Sequence, residues 1–215
     1  MNNKIKKWLR TLYIGTSSLT HGFQDKNPSK QKLFYKLWSP LYDISVGIDP
    51  AYRTHLKEMV EAVVSPDDTT LDIGCGTGIG TIYAANIARM VIALDPSRDM
   101  INKLKKKIAK SNIDNIEIRE GYFPESLQAG ESFDSIISSF MLAHLNASQR
   151  KEAIASMFSA LKSQGRIGLF SAQGEIASTF QTKEEITNNL SSAGFKNIII
   201  KEVADIYRIA TAVKN

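Results

Sequence analysis

This sequence is short of cysteine, proline and long apolar runs. A single cysteine, Cys75, stands among 215 residues, which excludes an intrachain disulfide and a cysteine-built zinc site. No apolar run approaches the ~20 residues that a membrane span requires. The apolar pieces near the N-terminus are too broken for a secretory signal, so a cytoplasmic setting is the expectation. No internal repeat or low-complexity tract is present, and neither sign of charge dominates. The 27 Lys+Arg against 22 Asp+Glu give a formal charge of +5 and a pI near 9.2. That mild basicity suits an anionic partner without choosing between a membrane surface and nucleic acid. The remaining composition, 43% hydrophobic and 23% charged, is that of an ordinary globular protein, most simply one domain with an extension.

What is present is concentrated in Thr69–Thr81, T-T-L-D-I-G-C-G-T-G-I-G-T. A short apolar run with β propensity is followed by a glycine loop and then by an Ala- and Ile-rich segment, Ile79–Ala88, that reads as a helix. Backbone N–H groups opening such a helix lack partners within it and are available to ligand acceptor atoms. The loop lacks the Gly-Lys-Ser/Thr ending of a phosphate-binding P-loop. It also lacks the third glycine of the dinucleotide fingerprint G-x-G-x-x-G, because Ile79 or Thr81 stands there. What it offers is Asp72 followed by G-x-G-x-G, with Cys75 as a small residue inside the loop. A second carboxylate, Asp95, ends the next apolar run, Met90–Leu94, where a βαβ unit can hold the two hydroxyls of a ribose.

L-D-I-G-C-G-T-G followed by V-I-A-L-D-P-S resembles the first two motifs of the class I S-adenosylmethionine-dependent methyltransferases. The resemblance extends from about Asp67 to the C-terminus. It implies an α/β, three-layer Rossmann-like methyltransferase fold with a mostly parallel seven-stranded sheet and one antiparallel strand near the C-terminus. It also implies S-adenosyl-L-methionine as cofactor. In this resemblance Asp72 faces the methionine amino end, and Gly74, Cys75, Gly76 and Gly78 bring main chain to the cofactor. Asp95 and Pro96 lie at the ribose. The turn after the third strand, Tyr122 and Phe123, reaches the adenine, although the family usually has Asp where Tyr122 stands. Ser139 ends the fourth strand beside the cofactor, close to where the family meets its methyl acceptor.

The N-terminal part divides further. Residues 1–14 include apolar Ile5, Trp8, Leu9, Leu12 and Tyr13 at helical spacing, with Lys4, Lys6, Lys7 and Arg10 on the remaining face. Such a basic amphipathic helix either lies at a lipid headgroup boundary or docks on the domain. Residues 15–65 read as a linker and an N-terminal helical lid, and residues 66–215 as the methyltransferase core. Within the lid, Tyr35–Asp43 resembles the Y-x-x-W-x-P-x-Y-D stretch of bacterial phospholipid N-methyltransferases and the shorter Y-D signature of quinone-ring methyltransferases. By that resemblance Tyr42 closes over the reacting sulfonium and Asp43 helps fix the lid, while Trp38 reads better as a core anchor.

Periodicity places helices at Tyr52–Val63, after the Asp49-Pro50 opening, and at Ser97–Ile108, Ser148–Leu161 and Thr182–Gly194. Thr182–Glu185 reads as a capping box. Strands are expected at Thr69–Ile73, Met90–Asp95, Ile116–Arg119, Phe133–Ser139 and Gly165–Ser171. A final hairpin follows at Phe195–Val203 and Ile206–Val213. Lys105, Lys106 and Lys107 read as a solvated face, and nucleic acid is not the expected partner. His144, just past the fourth strand, is the one core histidine suited to take a proton from an acceptor. Its other reading is a residue that shapes the loop. No metal-ligand cluster is seen.

The expected activity is therefore methyl transfer to a small or lipid-like acceptor, with a phospholipid headgroup amine at the membrane surface first and a quinone ring second. Peripheral contact with the inner membrane surface would run through residues 1–14. A nicotinamide-dependent oxidoreductase and a non-catalytic cofactor-binding protein are the rivals from other classes.

Overall fold

The computed structural model describes residues 49–173 and 180–215. Tyr42, the amphipathic segment and most of the expected lid lie outside the described residues. Helix α1 (Pro50–Val63) leads into β1 (Thr69–Ile73), α2 (Ile79–Ala85), β2 (Met90–Asp95), α3 (Arg98–Ile108) and β3 (Ile116–Glu120). There follow β4 (Phe133–Ser139), a 3-10 turn at Met141–His144, α4 (Ala147–Ala160), β5 (Leu161–Ala172), α5 (Lys183–Ala193), β6 (Lys196–Val203) and β7 (Tyr207–Val213). The strands form a seven-stranded sheet in the order β3-β2-β1-β4-β5-β7-β6. β7 pairs antiparallel with both β5 and β6, so it alone runs against the others. The expected fold class is the observed one.

Alternation along each strand supplies two hydrophobic faces. On β2, Val91 joins the core cluster that holds α1 and α2, and Ala93 packs with Leu104 of α3. Ile92 and Leu94 point the other way, into the cluster shared with α4 and α5. Helix α1 is a member of the first of these layers, since Tyr52, Leu56, Met59, Val60 and Val63 are all buried. Fully burying a side chain of this kind stabilises the fold by about 1.5–3 kcal/mol. Residues 50–63, which the sequence groups with the lid, thus belong to the core by their burial. Asp49 caps α1 by accepting from Ala51 N–H, with Pro50 at the first helical position, as the sequence leads one to expect.

Four local details differ from the sequence reading. Helix α2 stops at Ala85 instead of running to Ala88, and Asn86 closes it. Helix α4 starts earlier than Ser148, because Asn146 and Gln149 form a reciprocal capping box. β5 begins at Leu161, directly out of α4, and is twelve residues long. At Thr182 only half of the expected box forms. Thr182 accepts from Glu185 N–H, but the Glu185 carboxylate accepts from Arg150 Nη1 at 3.0 Å instead of turning back to the cap. A bond in which guanidinium and carboxylate are both charged outcompetes one to a main-chain N–H, where only the carboxylate is.

Candidate functional site

In a sheet of this order the chain turns back between β1 and β4, which are neighbours. Crevices at the C-terminal ends of strands beside such a reversal are where open α/β sheets take ligands. The glycine loop lies there. Gly74 and Cys75 both donate their N–H to the carbonyl of Leu94 at the end of β2, at 2.8 and 3.1 Å, which draws the loop across the tip of the neighbouring strand. Gly74, Gly76 and Gly78 all have positive φ, at 72°, 53° and 86°, a region that costs residues with a Cβ about 1–2 kcal/mol. Their surroundings differ. A Cβ on Gly74 would meet the Met141 side chain at 2.7 Å, and one on Gly78 would meet Leu104 at 2.1 Å. A Cβ on Gly76 would meet nothing within 4 Å. Gly74 and Gly78 therefore admit neighbouring side chains, whereas Gly76 borders open space.

Two carboxylates lie at this loop, Asp95 against Gly76 and Asp72 beneath the start of α2. Asp95 accepts from Gly76 N–H at 2.9 Å and from Ser97 N–H at 2.8 Å, so each of its oxygens is aimed by main chain. Burial nevertheless raises its pKa above the usual carboxylate range, against the lowering effect of those two bonds. Asp72 is buried at the end of β1 and accepts from Thr81 Oγ1 at 2.6 Å. Burial pushes its pKa up to about 7, the Thr81 bond opposes that, and the neighbouring charge of Asp95 adds to it. Cys75 is buried in the loop, and its thiol is pushed up, mainly by burial. Among the described residues, neither carboxylate is in an ion pair with a cationic side chain.

The other predicted residues fall around this centre. Pro96 is half-buried beside Asp95. Tyr122 is 56% exposed at the rim, while Phe123 packs against the apolar cluster that includes Ile92 and Leu94. Ser139, at the end of β4, shares a hydrogen bond with Tyr52 Oη at 3.1 Å. His144 is exposed on the 3-10 turn. The structure thus gathers Asp72, the glycine loop, Asp95 and Pro96 at one edge, with Tyr122 and Phe123 on the β3 side and Ser139 and His144 on the β4 side.

Sequence reasoning missed four contributors. Thr81 fixes Asp72. Lys107 reaches back from α3 to donate to the carbonyl of Thr77 in the glycine loop at 2.9 Å. It is therefore not part of a purely solvated face, and its spacing from Met100 and Leu104 was the available signal. Arg150 is buried and donates Nε to the carbonyl of Leu145, just past the 3-10 turn, at 2.9 Å. The fourth is an aromatic cluster. Phe140, at φ 61°, has its ring centroid 5.9 Å from Tyr52, 5.8 Å from Phe170 and 5.8 Å from Phe180. Tyr207 lies 5.1 Å from Phe170 and donates its hydroxyl to Asp49 at 2.6 Å. A small cleft opens beside these rings, lined by Phe140, Leu142, Phe170, Phe180, Gln181 and Ile186 among others, and none of the described residues that line it is ionisable.

An open α/β sheet with a glycine loop and two acidic strand tips defines a nucleoside-binding enzyme core. Residues 70–165 match the methyltransferase domain family. An uncharacterized methyltransferase of Oceanobacillus iheyensis is 30% identical over 83% of this chain and 82% of its own length. Among solved structures, a complex of DhpI with SAH superposes with a TM-score of 0.72 at 22% identity, covering 86% of this chain and 95% of that one. The magnesium protoporphyrin IX methyltransferase of Synechocystis, solved with bound SAH, gives 0.68 at 18% identity over 88% and 100%. The chain belongs to the class I S-adenosylmethionine-dependent methyltransferases.

Proposed function

We propose that this protein transfers a methyl group from S-adenosylmethionine to a lipid-like acceptor, a phospholipid headgroup amine first and a quinone ring second. The observation that carries the cofactor part is the open space over Gly76, whose N–H is held by the buried Asp95, with the buried Asp72 nearby. S-adenosylmethionine is cationic at both its sulfonium and its amino group, so it suits a site where burial leaves Asp72 and Asp95 costly to ionise. Asp95 would take the ribose hydroxyls, Asp72 would influence the amino end through the local field, and Gly76 would let main chain approach. When bound, the cofactor supplies a methyl group already activated on a cationic sulfur. What remains for the protein is to place the acceptor and exclude water.

The acceptor side is walled by aromatic rings and aliphatic groups, which supports an acceptor with a large apolar part. The neutral lining of the cleft also favours the quinone ring as the second reading. Helix α1 begins at this edge, because Asp49 is bonded to Tyr207 and Tyr52 to Ser139. The described chain therefore starts beside the proposed acceptor side, and the Y-x-x-W-x-P-x-Y-D resemblance supports Tyr42 closing over the reacting sulfonium. An amine acceptor needs only desolvation and loss of a proton; an oxygen or carbon acceptor needs a base, the role proposed for His144. No helix among the described residues is long and apolar enough to cross a membrane; what supports membrane contact is the basic amphipathic pattern of residues 1–14.

The test is transfer of radiolabelled methyl groups to a total lipid extract, with mass identification of the product, alongside vesicle flotation with and without residues 1–14. Label in an amine headgroup or quinone, with flotation lost on truncation, is the expected result. Cofactor binding without any transfer would make the chain a non-catalytic binder. Equal recovery of both forms in solution would remove the membrane part.

A further inference from the structure

The loop between β3 and β4 is folded as a closed unit. It leaves β3 at Gly121, whose N–H donates to the carbonyl of Asp95 at 3.1 Å, so its root is attached to the residue that would hold the ribose. Inside it, Ser126 N–H donates to Tyr122 O and Leu127 N–H to Pro124 O, while Phe123 and Leu127 pack on the cluster beneath. Its far end is tied back to β3 by one side-chain pair. Arg119 Nη1 and Nη2 donate to the two carboxylate oxygens of Glu131 at 2.7 and 2.8 Å, and the same carboxylate accepts from Gln128 N–H at 3.0 Å. Glu117 takes the remaining Arg119 Nε at 2.7 Å. Both partners of the fork are mostly sheltered, at 14% and 18% side-chain exposure, so the pair is much less screened than a surface contact. A planar two-point fork also fixes orientation, which a lysine would not do.

Strand spacing says what this loop faces. β1, β2 and β3 are consecutive in the sheet, at about 4.8 Å per step. A nucleoside with one end over the glycine loop of β1 and its ribose at Asp95 on β2 presents its base one step further on, at the root of the loop on β3. We infer that Arg119 and Glu131 are positioning residues for the base of the bound nucleoside: their fork holds residues 121–131 in the shape that receives it. This rests on the cofactor reading above.

The test uses S-adenosylhomocysteine as probe and S-inosylhomocysteine, which differs only in its base, as the comparison. Both are titrated calorimetrically into the wild type, Glu131→Gln and Arg119→Lys. The expected result is that Glu131→Gln binds S-adenosylhomocysteine about tenfold more weakly and loses most of its preference between the two bases. Arg119→Lys, which keeps the charge but not the fork, should move the same way by less, and it serves if Glu131→Gln does not fold. Hydrogen exchange should show residues 121–131 protected by ligand in the wild type and exchanging faster in the variants. Wild-type affinity and base preference in the variants, or a loop that gains no protection on binding, would overturn the inference even where thermal stability drops. Failure of the wild type to bind S-adenosylhomocysteine at all would overturn the cofactor reading itself, and the inference with it.

Discussion

At the tips of β1 and β2 the sheet edge is made of main chain and carboxylates, whereas at β4, β5 and the start of β7 it is made of aromatic rings and hydroxyls. The first half comes from residues close together in the chain, Asp72 to Ser97. The second comes from Tyr52, Phe140, Phe170, Phe180 and Tyr207, which only the completed fold brings together. On the function proposed above, recognition of the cofactor would lie in a local motif, and choice of acceptor in packing among distant elements.

Substitutions can break this division or sharpen it. Within the glycine loop, Gly78→Ala adds a methyl where Leu104 stands and forces a side chain into positive φ, at a cost of roughly 2–4 kcal/mol in urea unfolding. Gly76→Ala meets no such neighbour. It should cost only about 1–2 kcal/mol yet weaken S-adenosylhomocysteine binding at least about tenfold. If both variants lose stability equally and both still bind, the open space over Gly76 is not the ligand site.

Asp72 gives the next effect. Its folded pKa is raised to about 7 from an ordinary 3.8, so the folded chain holds a proton that the unfolded chain has released. The stability this contributes is complete below the ordinary value and is lost as pH rises through 7. From about pH 5 to about pH 8, unfolding free energy should fall by roughly 2–3 kcal/mol on this account. Asp72→Asn should flatten that slope. A slope unchanged by the substitution would mean that Asp72 is ionised throughout. A cationic ligand bound nearby favours the carboxylate, so binding near pH 6 should release protons, which calorimetry in buffers of different ionisation enthalpy reads directly.

The smallest effect belongs to the other half. Tyr52→Phe removes the bond to Ser139 but keeps the ring among its neighbours, costing about 1 kcal/mol. Binding of S-adenosylhomocysteine should not change, because the substitution lies outside the polar half. A loss of affinity there would show that the two halves are coupled.

The division also explains what could be read in advance. Asp72, Gly76 and Asp95 were legible because a strand, a turn and a second strand tip are local patterns with a stated spacing. The one antiparallel strand near the C-terminus was legible too, from the short connection of the final hairpin. Thr81 and Lys107 were not legible, because a threonine and a lysine on helices have many uses, and only the folded geometry turns them towards the loop. The aromatic cluster was hidden for a different reason: Phe170 and Tyr207 look like ordinary strand residues, and Phe140 like a loop residue, until β7 is laid against β5. Tyr122 stands exposed at the rim where the family has an acid, and the Arg119–Glu131 fork behind it joins residues that sequence alone gives no reason to pair.

The last strand has a duty in time as well as in space. β7 lies between β5 and β6, and its first residue, Tyr207, is bonded to Asp49 across 158 positions. During synthesis β6 thus emerges before the strand that joins it to the sheet exists, and the front of α1 waits for the same strand. A chain stopped before Tyr207 would forfeit two strands, not one, and would leave the aromatic cluster without the Tyr207 ring. Closure over such a separation belongs among the slow steps of folding. Ribosome-bound chains lacking the final strand should therefore have the glycine-loop half built and the aromatic half unformed.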